Sequence, residues 1–246
     1  MENTLAFYLM TAFVGLLIGV AKGGLGGLMG ALATPLMALV MPPQAVVGLL
    51  LPMLIFADAF ALAGYWKRWN VRLVLLMLPG AVLGVTAGTY FIKSAPTALL
   101  RNVLAAIVLL FTLYKLLEAR ILQALPYRSR PWHGVASGTL AGFSSALAHA
   151  GGPPVAIYLL MQKLPPLEFT ATTVLFFTIV NWIKVPYYAY VGLFDFPRLV
   201  QVFWLLPVIP LGVWIGRQVV GRIDRLWFER VIVAALFATA VMLILE

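Results

Sequence analysis

The sequence is built from long apolar segments, and this pattern limits the fold more than any other feature. Hydrophobic residues occupy 63% of the 246 positions and charged residues 10%, whereas a soluble domain has about 45–50% and about 25%. A chain this apolar needs lipid as the solvent for most of its surface, and backbone groups in lipid must be satisfied within helices or closed barrels. Barrel strands would alternate apolar and polar residues, but these runs are continuous. We therefore predict an all-α integral membrane protein.

Four of the ten apolar segments are shorter than the about 20 residues that a transmembrane helix needs. They form two pairs, and a glycine-rich break joins each pair, at 22–27 and at 149–154. We predict that each pair forms a broken-helix hairpin. The first segment, 5–20, follows no basic residue, and we interpret it as part of the mature protein and not as a signal peptide.

The chain matches itself at an offset of 123 residues. The ordered matches are Gly15 and Gly19 with Gly138 and Gly142, Pro42 and Pro43 with Pro165 and Pro166, Asp58 with Asn181, and Tyr65 with Tyr188. After a five-residue insertion, Pro79, Gly84 and Gly88 match Pro207, Gly212 and Gly216. We predict a single membrane domain of two repeats, 5–117 and 133–246, joined by a charged linker, 118–132.

The distribution of Lys and Arg predicts the orientation of the repeats, because basic residues concentrate in cytoplasmic loops. If each repeat is a broken-helix hairpin followed by three transmembrane helices, most basic residues share one side. That side holds Lys67, Arg68, Arg72, Arg120, Arg128, Arg130, Lys163, Arg217, Arg222 and Arg225, and the other holds mainly Lys93, Arg101 and Arg198. Both termini then lie outside the cytoplasm, and the odd number of crossings gives the two repeats inverted topologies. Re-entrant and fully spanning hairpins both satisfy this pattern.

The two breaks are candidate binding sites. Inverted repeats with paired broken helices are typical of secondary transporters, which bind substrate near the midplane between the repeats. A helix that restarts at a break has unpartnered N–H groups and a partial positive charge, so it attracts an oxyanion. Lysine, hydroxyl and imidazole groups lie beside these breaks. The candidate substrate-binding residues are Lys22, Gly23, Gly24, Gly26, Gly27, Ser144, Ser145, His149, Gly151 and Gly152.

Each of these residues also has a purely structural interpretation. Glycine in a membrane helix allows close helix packing, and Lys22 could extend to the membrane surface. His149 could be a hydrogen-bonded packing residue, and Ser144 and Ser145 could bond carbonyls of their own helix. Several glycines follow Lys22, and a matching glycine-rich break lies in the second half. This pattern favours the binding interpretation.

Asp58, Asn181 and Lys184 are candidates for coupling or gating. Asp58 and Lys184 lie inside otherwise apolar segments, where ionisable groups are costly and mark functional sites. Asp58 is equivalent to Asn181, one turn before Lys184, so the repeat places Asp58 and Lys184 near a two-fold axis, where they could pair. The carboxylate could carry a coupling proton. A static ion pair that fixes helix register is the alternative.

Several other classes of partner are excluded or disfavoured. The chain has no cysteine and two histidines, His133 and His149, so we predict no metal site and no cofactor. Its net charge is +9, but the basic residues lie mostly at segment ends and form no patch on a soluble face. We therefore expect a small anionic substrate, a lipid bilayer and a proton as the candidate coupling ion, and no nucleic acid.

The ordered set of motifs resembles the sulfite exporter TauE/SafE family, also called the toluene-sulfonate uptake permeases. The resemblance rests on the run from Gly19 to Gly27, on Pro35, Pro42 and Asp58, on Gly138, Gly142, Phe143, Ser144 and Ser145, and on the run from Gly151 to Pro154 with Asn181. It covers almost the whole chain. The resemblance implies transport of sulfite, thiosulfate, sulfoacetate or a similar sulfur anion across a bacterial inner membrane, as export or import.

Three other functions compete with this one. An anion channel could use the same two breaks as anion-binding sites, since conduction needs weak binding at several sites. An intramembrane serine hydrolase would pair Ser145 with His149, four residues apart, but it gives no reason for the equivalent break in the first half. A cation transporter is disfavoured by the positive helix ends and by Lys22.

Overall fold

The computed structural model describes residues 4–25, 27–124, 130–219 and 225–245, which form helices and short connections. The helices are α1 Thr4–Val20, α2 Gly27–Ala38, α3 Pro43–Gly64, α4 Val71–Ser94, α5 Thr97–Ala124, α6 Pro131–Ala148, α7 Gly152–Met161, α8 Pro166–Tyr190, α9 Phe196–Val202, α10 Val208–Val219 and α11 Arg225–Leu245. A π-helical segment, Ala21–Leu25, follows α1, and a 3₁₀ turn, Phe203–Leu205, follows α9.

The helices confirm the all-α membrane prediction. Within the described ranges, five helices are long and apolar enough to cross a membrane, and a sixth span results if the bent pair Phe196–Leu205 and Val208–Gln218 counts as one. Large apolar side chains also face outward from these helices, for example Leu83 at 62% exposed and Leu110 at 66%. Such surfaces are stable when lipid surrounds them.

Both predicted breaks are antiparallel hairpins. In the first, Gly30 faces Ala21 across the turn and Thr11 contacts Met37. In the second, the Ser137 hydroxyl donates to the carbonyl of Pro154 at 2.9 Å, although a straight helix would separate these residues by about 25 Å. The return arms α2 and α7 have 12 and 10 residues, which corresponds to about 18 and 15 Å. Each return arm is therefore about half as long as the roughly 30 Å hydrocarbon core is thick.

The second half repeats the element order of the first, with one difference. A hairpin and three helices form α1 to α5, and the same order follows from α6 to α11. The apolar segment 199–219 is long enough for one continuous transmembrane helix, but the chain bends there by 49° between Leu205 and Val208. Pro207 lies at this bend, where its missing N–H interrupts the helical hydrogen bonds. The matching Pro79 lies inside the unbroken α4.

Glycines join the hairpin of each half to the fourth helix of the other half. Gly80, Gly84 and Gly88 on α4 face Val135, Thr139 and Phe143 on α6. Gly19 and Gly23 on the first hairpin face Gly212 and Gly216 on α10. At most of these positions a Cβ would overlap a backbone oxygen of the facing helix, so only glycine permits this close packing.

The directions of the helices follow from these contacts. Asp58 contacts Asn181 and Gly48 contacts Leu193, so α3 and α8 run antiparallel. Asn70 contacts Thr172 and Thr86 contacts Tyr187, so α4 and α8 run parallel. The equivalent helices α3 and α8 therefore point in opposite directions. The helix pairs also correspond when the halves are exchanged: α4 packs on α6 as α10 packs on α1, and α5 packs on α7 as α11 packs on α2.

Candidate anion-binding site between the hairpin tips

The first hairpin tip carries Lys22 into contact with α3. Lys22 lies in the π-helical segment, a distortion that is common at functional sites. Its ammonium forms an ion pair with the carboxylate of Asp58. Asp58 is 1% exposed and the Lys22 side chain is 17% exposed, so the pair is largely shielded from solvent. The sequence did not predict this pairing.

Asp58 also joins the two halves. Its second carboxylate oxygen accepts a hydrogen bond of 2.7 Å from the side-chain amide of Asn181, which is 123 positions later. The two residues that the repeat makes equivalent are therefore in direct contact. Among the described residues, Asp58 pairs with Lys22 and not with Lys184, so the predicted ion pair between Asp58 and Lys184 is not formed.

Lys184 instead faces the second hairpin tip. Its side chain is 0% exposed, and its Nζ lies 2.8 Å from Nδ1 of His149, 3.1 Å from Oγ of Ser145 and 3.4 Å from the carbonyl oxygen of Ser145. Three acceptors match the three donors of an ammonium group. All three are neutral, and in the described ranges no carboxylate forms an ion pair with Lys184.

His149 orients Lys184. It ends α6 in the left-handed conformation with φ of 50°, which is uncommon for residues other than glycine and clusters at functional sites. Its Nε2 lies 3.1 Å from the carbonyl oxygen of Val47 on α3. A carbonyl only accepts, so Nε2 carries the proton and Nδ1 accepts from Lys184. Both ring nitrogens of His149 are therefore engaged within the protein.

The other predicted site residues differ in their contacts. The Ser144 hydroxyl donates to the carbonyl of Leu140, in its own helix, at 2.7 Å. Gly23 packs on α10 and Gly151 packs on α6. Gly24 lies in the π-helical segment, Gly27 begins α2 and Gly152 begins α7. Gly26 is outside the described residues.

These contacts define a central polar cluster of six residues, namely Lys22, Asp58, Ser145, His149, Asn181 and Lys184. Asn181 contacts Asp58 and Lys184 contacts His149, and both lie one turn apart on α8, so the contacts of the two hairpin tips meet on one stretch of that helix. A groove of about 540 Å³ between α3 and α10 is lined by Phe60, Gly64, Trp214 and Arg217 among others, but by no cluster residue. The cluster is enclosed between hairpin tips and helices.

One contributor has no signal in the sequence: the carbonyl of Val47 is a backbone group, which any residue type supplies. Tyr188, which the repeat matches with Tyr65, donates to the carbonyl of Ala146 near the end of α6 at 2.6 Å, a contact that the repeat does not predict. The relation of Lys22 to Ser145, in contrast, is visible in the sequence, because these residues are also 123 positions apart. That match places both at equivalent hairpin positions.

A multi-pass helical bundle with two hairpins and a buried ionised cluster at their tips defines the class of membrane transport proteins. The profile described as Sulfite exporter TauE/SafE matches residues 11–243. The chain belongs to this family of transporters, which confirms the resemblance seen in its motifs.

One curated relative is the protein named "Probable sulfite/organosulfonate exporter TauE" from Cupriavidus necator. It is 29% identical to this chain over 182 residues, which cover 72% of this chain and 69% of the relative. No solved structure matches the chain.

Proposed function

We propose that this protein is a secondary transporter of a small sulfur oxyanion or organosulfonate, such as sulfite, thiosulfate or sulfoacetate, in a bacterial inner membrane. One observation carries the proposal: two lysines, Lys22 and Lys184, and one carboxylate, that of Asp58, lie in the central polar cluster, so with both lysines protonated the cluster has a net positive charge. A net positive charge enclosed among apolar helices is costly, and an anion would compensate for it.

The substrate sits between the hairpin tips in this proposal. Lys184 supplies the uncompensated charge, Lys22 supplies a second charge when it leaves Asp58, and Ser145 supplies a hydroxyl donor. Backbone N–H groups at the breaks add donors, from Gly24 and Gly27 in the first half and from Gly151 and Gly152 in the second. The start of α7 suits this role, since no side chain caps its Gly151 end.

Transport follows by alternating access. We infer an inverted repeat from the antiparallel directions of α3 and α8 and from the contacts that correspond when the halves are exchanged. One group of helices would rock against the other around the enclosed cluster, so that the anion is exposed to one side at a time. Asp58 is the group that would carry a coupling proton, and both termini would lie in the periplasm.

The sulfur chemistry of the substrate is supported by the family and by the name of the relative. Sulfite, thiosulfate and sulfonates are oxyanions that accept several hydrogen bonds, as the cluster and the helix ends would offer. The direction of transport depends on the gradient and the coupling, so the same site serves export and import.

The first test is thermal stabilisation of the purified protein by sulfite, thiosulfate, sulfoacetate, methanesulfonate, phosphate, chloride and acetate. A ligand that binds only the folded state raises its stability by mass action. We expect a sulfur anion to give the largest shift. Lys184→Met should lose this shift, with affinity lower by at least about 30-fold, because truncating one partner of a buried charged contact costs about 2–5 kcal/mol.

Lys115→Met is the matched control. Lys115 is also a shielded lysine in an apolar helix, but it pairs with Glu118 on α5 and not with the cluster. It should keep the full response. Equal responses of both variants to the sulfur anion would contradict the proposed site, and a phosphate or acetate response above that of every sulfur anion would contradict the substrate class.

A further inference from the structure

The charges of the central polar cluster specify which anions the site takes with a proton and which without. Lys22 pairs with Asp58, Nζ of Lys184 lies within hydrogen-bond distance of three acceptors, and the two ring nitrogens of His149 face the Val47 carbonyl and Lys184. These contacts suit two ammonium groups, one carboxylate and a neutral imidazole, which together carry one net positive charge. Resting on the proposed function, we infer that a monoanion binds without a proton, whereas a dianion binds together with one proton, which Asp58 takes up.

The reason is that an enclosed apolar site tolerates little net charge. A monoanion, such as a sulfonate with one acidic group, neutralises the cluster with Asp58 still ionised and still paired with Lys22. A dianion would leave one excess negative charge. If the carboxylate of Asp58 takes a proton from the water on the open side, Lys22 is released from it, and the two ammonium groups match the two charges of the ligand.

The surroundings of Asp58 fit this role. Among the described residues, Lys22 faces it from the first hairpin tip, and Asn181 and Lys184 face it from α8. His149 lies at the second tip. On α10, Arg217 donates to the carbonyl of Phe60, two residues beyond Asp58.

The contact with Asn181 is compatible with both the ionised and the protonated form of Asp58. The amide of Asn181 donates to the ionised carboxylate, and an amide can also accept from a protonated carboxyl through its oxygen. The neutral residue at the equivalent position therefore supports the change without adding charge.

The experiment measures binding by the purified protein of methanesulfonate, a monoanion, and of thiosulfate, a dianion, from about pH 6 to pH 8. Uptake of one proton lowers the association constant of thiosulfate about tenfold for each pH unit. Methanesulfonate should show no such dependence. Sulfite itself is unsuitable as a probe, because it changes between monoanion and dianion in this range.

Asp58→Asn removes the proton acceptor and keeps the shape of the side chain. In this variant, thiosulfate binding should become independent of pH, and the preference for thiosulfate over methanesulfonate at the alkaline end should rise at least tenfold. Glu118→Gln is the matched control, since it removes a carboxylate that pairs with a lysine outside the cluster; it should keep the wild-type pH dependence.

A second readout does not depend on a variant. Proton uptake by the wild-type protein in weakly buffered solution should accompany thiosulfate binding, at one proton for each anion, and should be absent with methanesulfonate. Equal pH slopes for the two anions would overturn this inference and leave the transport proposal standing. A methanesulfonate affinity that falls with pH would assign the proton to Lys184 and also overturn it. No binding by either anion would overturn the proposed site itself.

Discussion

A lysine ammonium at the centre of a helical bundle is stable only if other groups compensate for the water it has lost. Lys184 retains three hydrogen bonds, and no carboxylate of the described residues forms an ion pair with it. Lys22, in contrast, has a carboxylate partner in Asp58. The two lysines therefore differ in their partners: Lys22 pairs with a carboxylate, whereas Lys184 is held by a hydroxyl, a carbonyl and an imidazole.

The ion pair between Lys22 and Asp58 predicts that removing one charge destabilises the protein and that removing the second charge as well restores most of the lost stability. Lys22→Met alone leaves a buried carboxylate without its cation and should lower the free energy of unfolding by about 3 kcal/mol or more. The double variant Lys22→Met with Asp58→Asn removes both charges and should recover most of this loss. Thermal unfolding of the single and double variants without ligand tests the coupling. Additive losses would show that the two residues do not interact.

These residues were individually predictable from the sequence, but their contacts were not. A charge within an apolar segment identifies Asp58 and Lys184, because such charges are rare in membrane helices. Which cation pairs with Asp58 depends on how far the first hairpin carries Lys22 towards α3, and no spacing rule gives that distance. The left-handed conformation of His149 likewise has no sequence signal, since glycine is the usual residue there.

At the scale of helices, the glycine stripes determine how closely the elements pack. Both stripes join parallel helices from different halves, α4 with α6 and α1 with α10. In lipid, such association depends on close backbone contact and not on the hydrophobic effect. A single methyl group at these positions should therefore separate the helices.

Gly84→Ala and Gly212→Ala test the two stripes. A Cβ at Gly84 would overlap the carbonyl oxygen of Thr139, and one at Gly212 would contact the carbonyl of Leu16 at 2.5 Å. Each substitution should lower the free energy of unfolding by about 1–3 kcal/mol, as overpacking does. Gly30→Ala is the control, because the nearest atom there is the Cβ of Ala21 at 4.0 Å. It should be neutral or stabilising by up to about 1 kcal/mol. Equal thermal stabilities of the three variants would contradict the packing.

The repeat matches identified these glycines but not the residues against which they pack. Gly19, Gly142, Gly84 and Gly212 were evidence of a repeat, but the structure shows that each packs against a helix of the other half: Gly19 faces Gly212, Gly84 faces Thr139 and Gly142 faces Ala81. Gly23 is the third glycine of the α1 stripe, so packing against α10 explains why glycine is needed there. The spacing of Gly15, Gly19 and Gly23 fits a helix face, but the sequence alone does not show whether the glycines after Lys22 continue that helix or form a loop.

At the scale of the whole molecule, the proposed topology makes opposite predictions for loops at the two membrane faces. Lys67 and Lys163 are exposed residues from different halves that should both face the cytoplasm, and Ser94 should face the periplasm. The chain contains no cysteine, so single cysteines can be introduced without background. In intact cells, a membrane-impermeant thiol reagent should label Ser94→Cys only, and Lys67→Cys and Lys163→Cys should react after lysis. Labelling of either lysine position in intact cells would reject the inverted orientation.

The hydrophobic segments and the basic residues were sufficient to predict the class, the hairpins and the element order. They did not predict the bend at Pro207, because the equivalent Pro79 sits in a continuous helix. Whether a proline breaks a membrane helix depends on whether neighbouring helices satisfy the freed carbonyl. That information lies in the packing and not in the local sequence.

The pairing of α1 with α10 also affects how the chain is made. The glycine face of α1 has no partner until residues near Gly212 leave the ribosome, roughly 190 residues later. At about 5–20 residues per second, translation of this stretch takes on the order of ten to forty seconds. During that interval α1 stays in the bilayer with this contact surface uncovered, and the bundle can close only after α10 has been made.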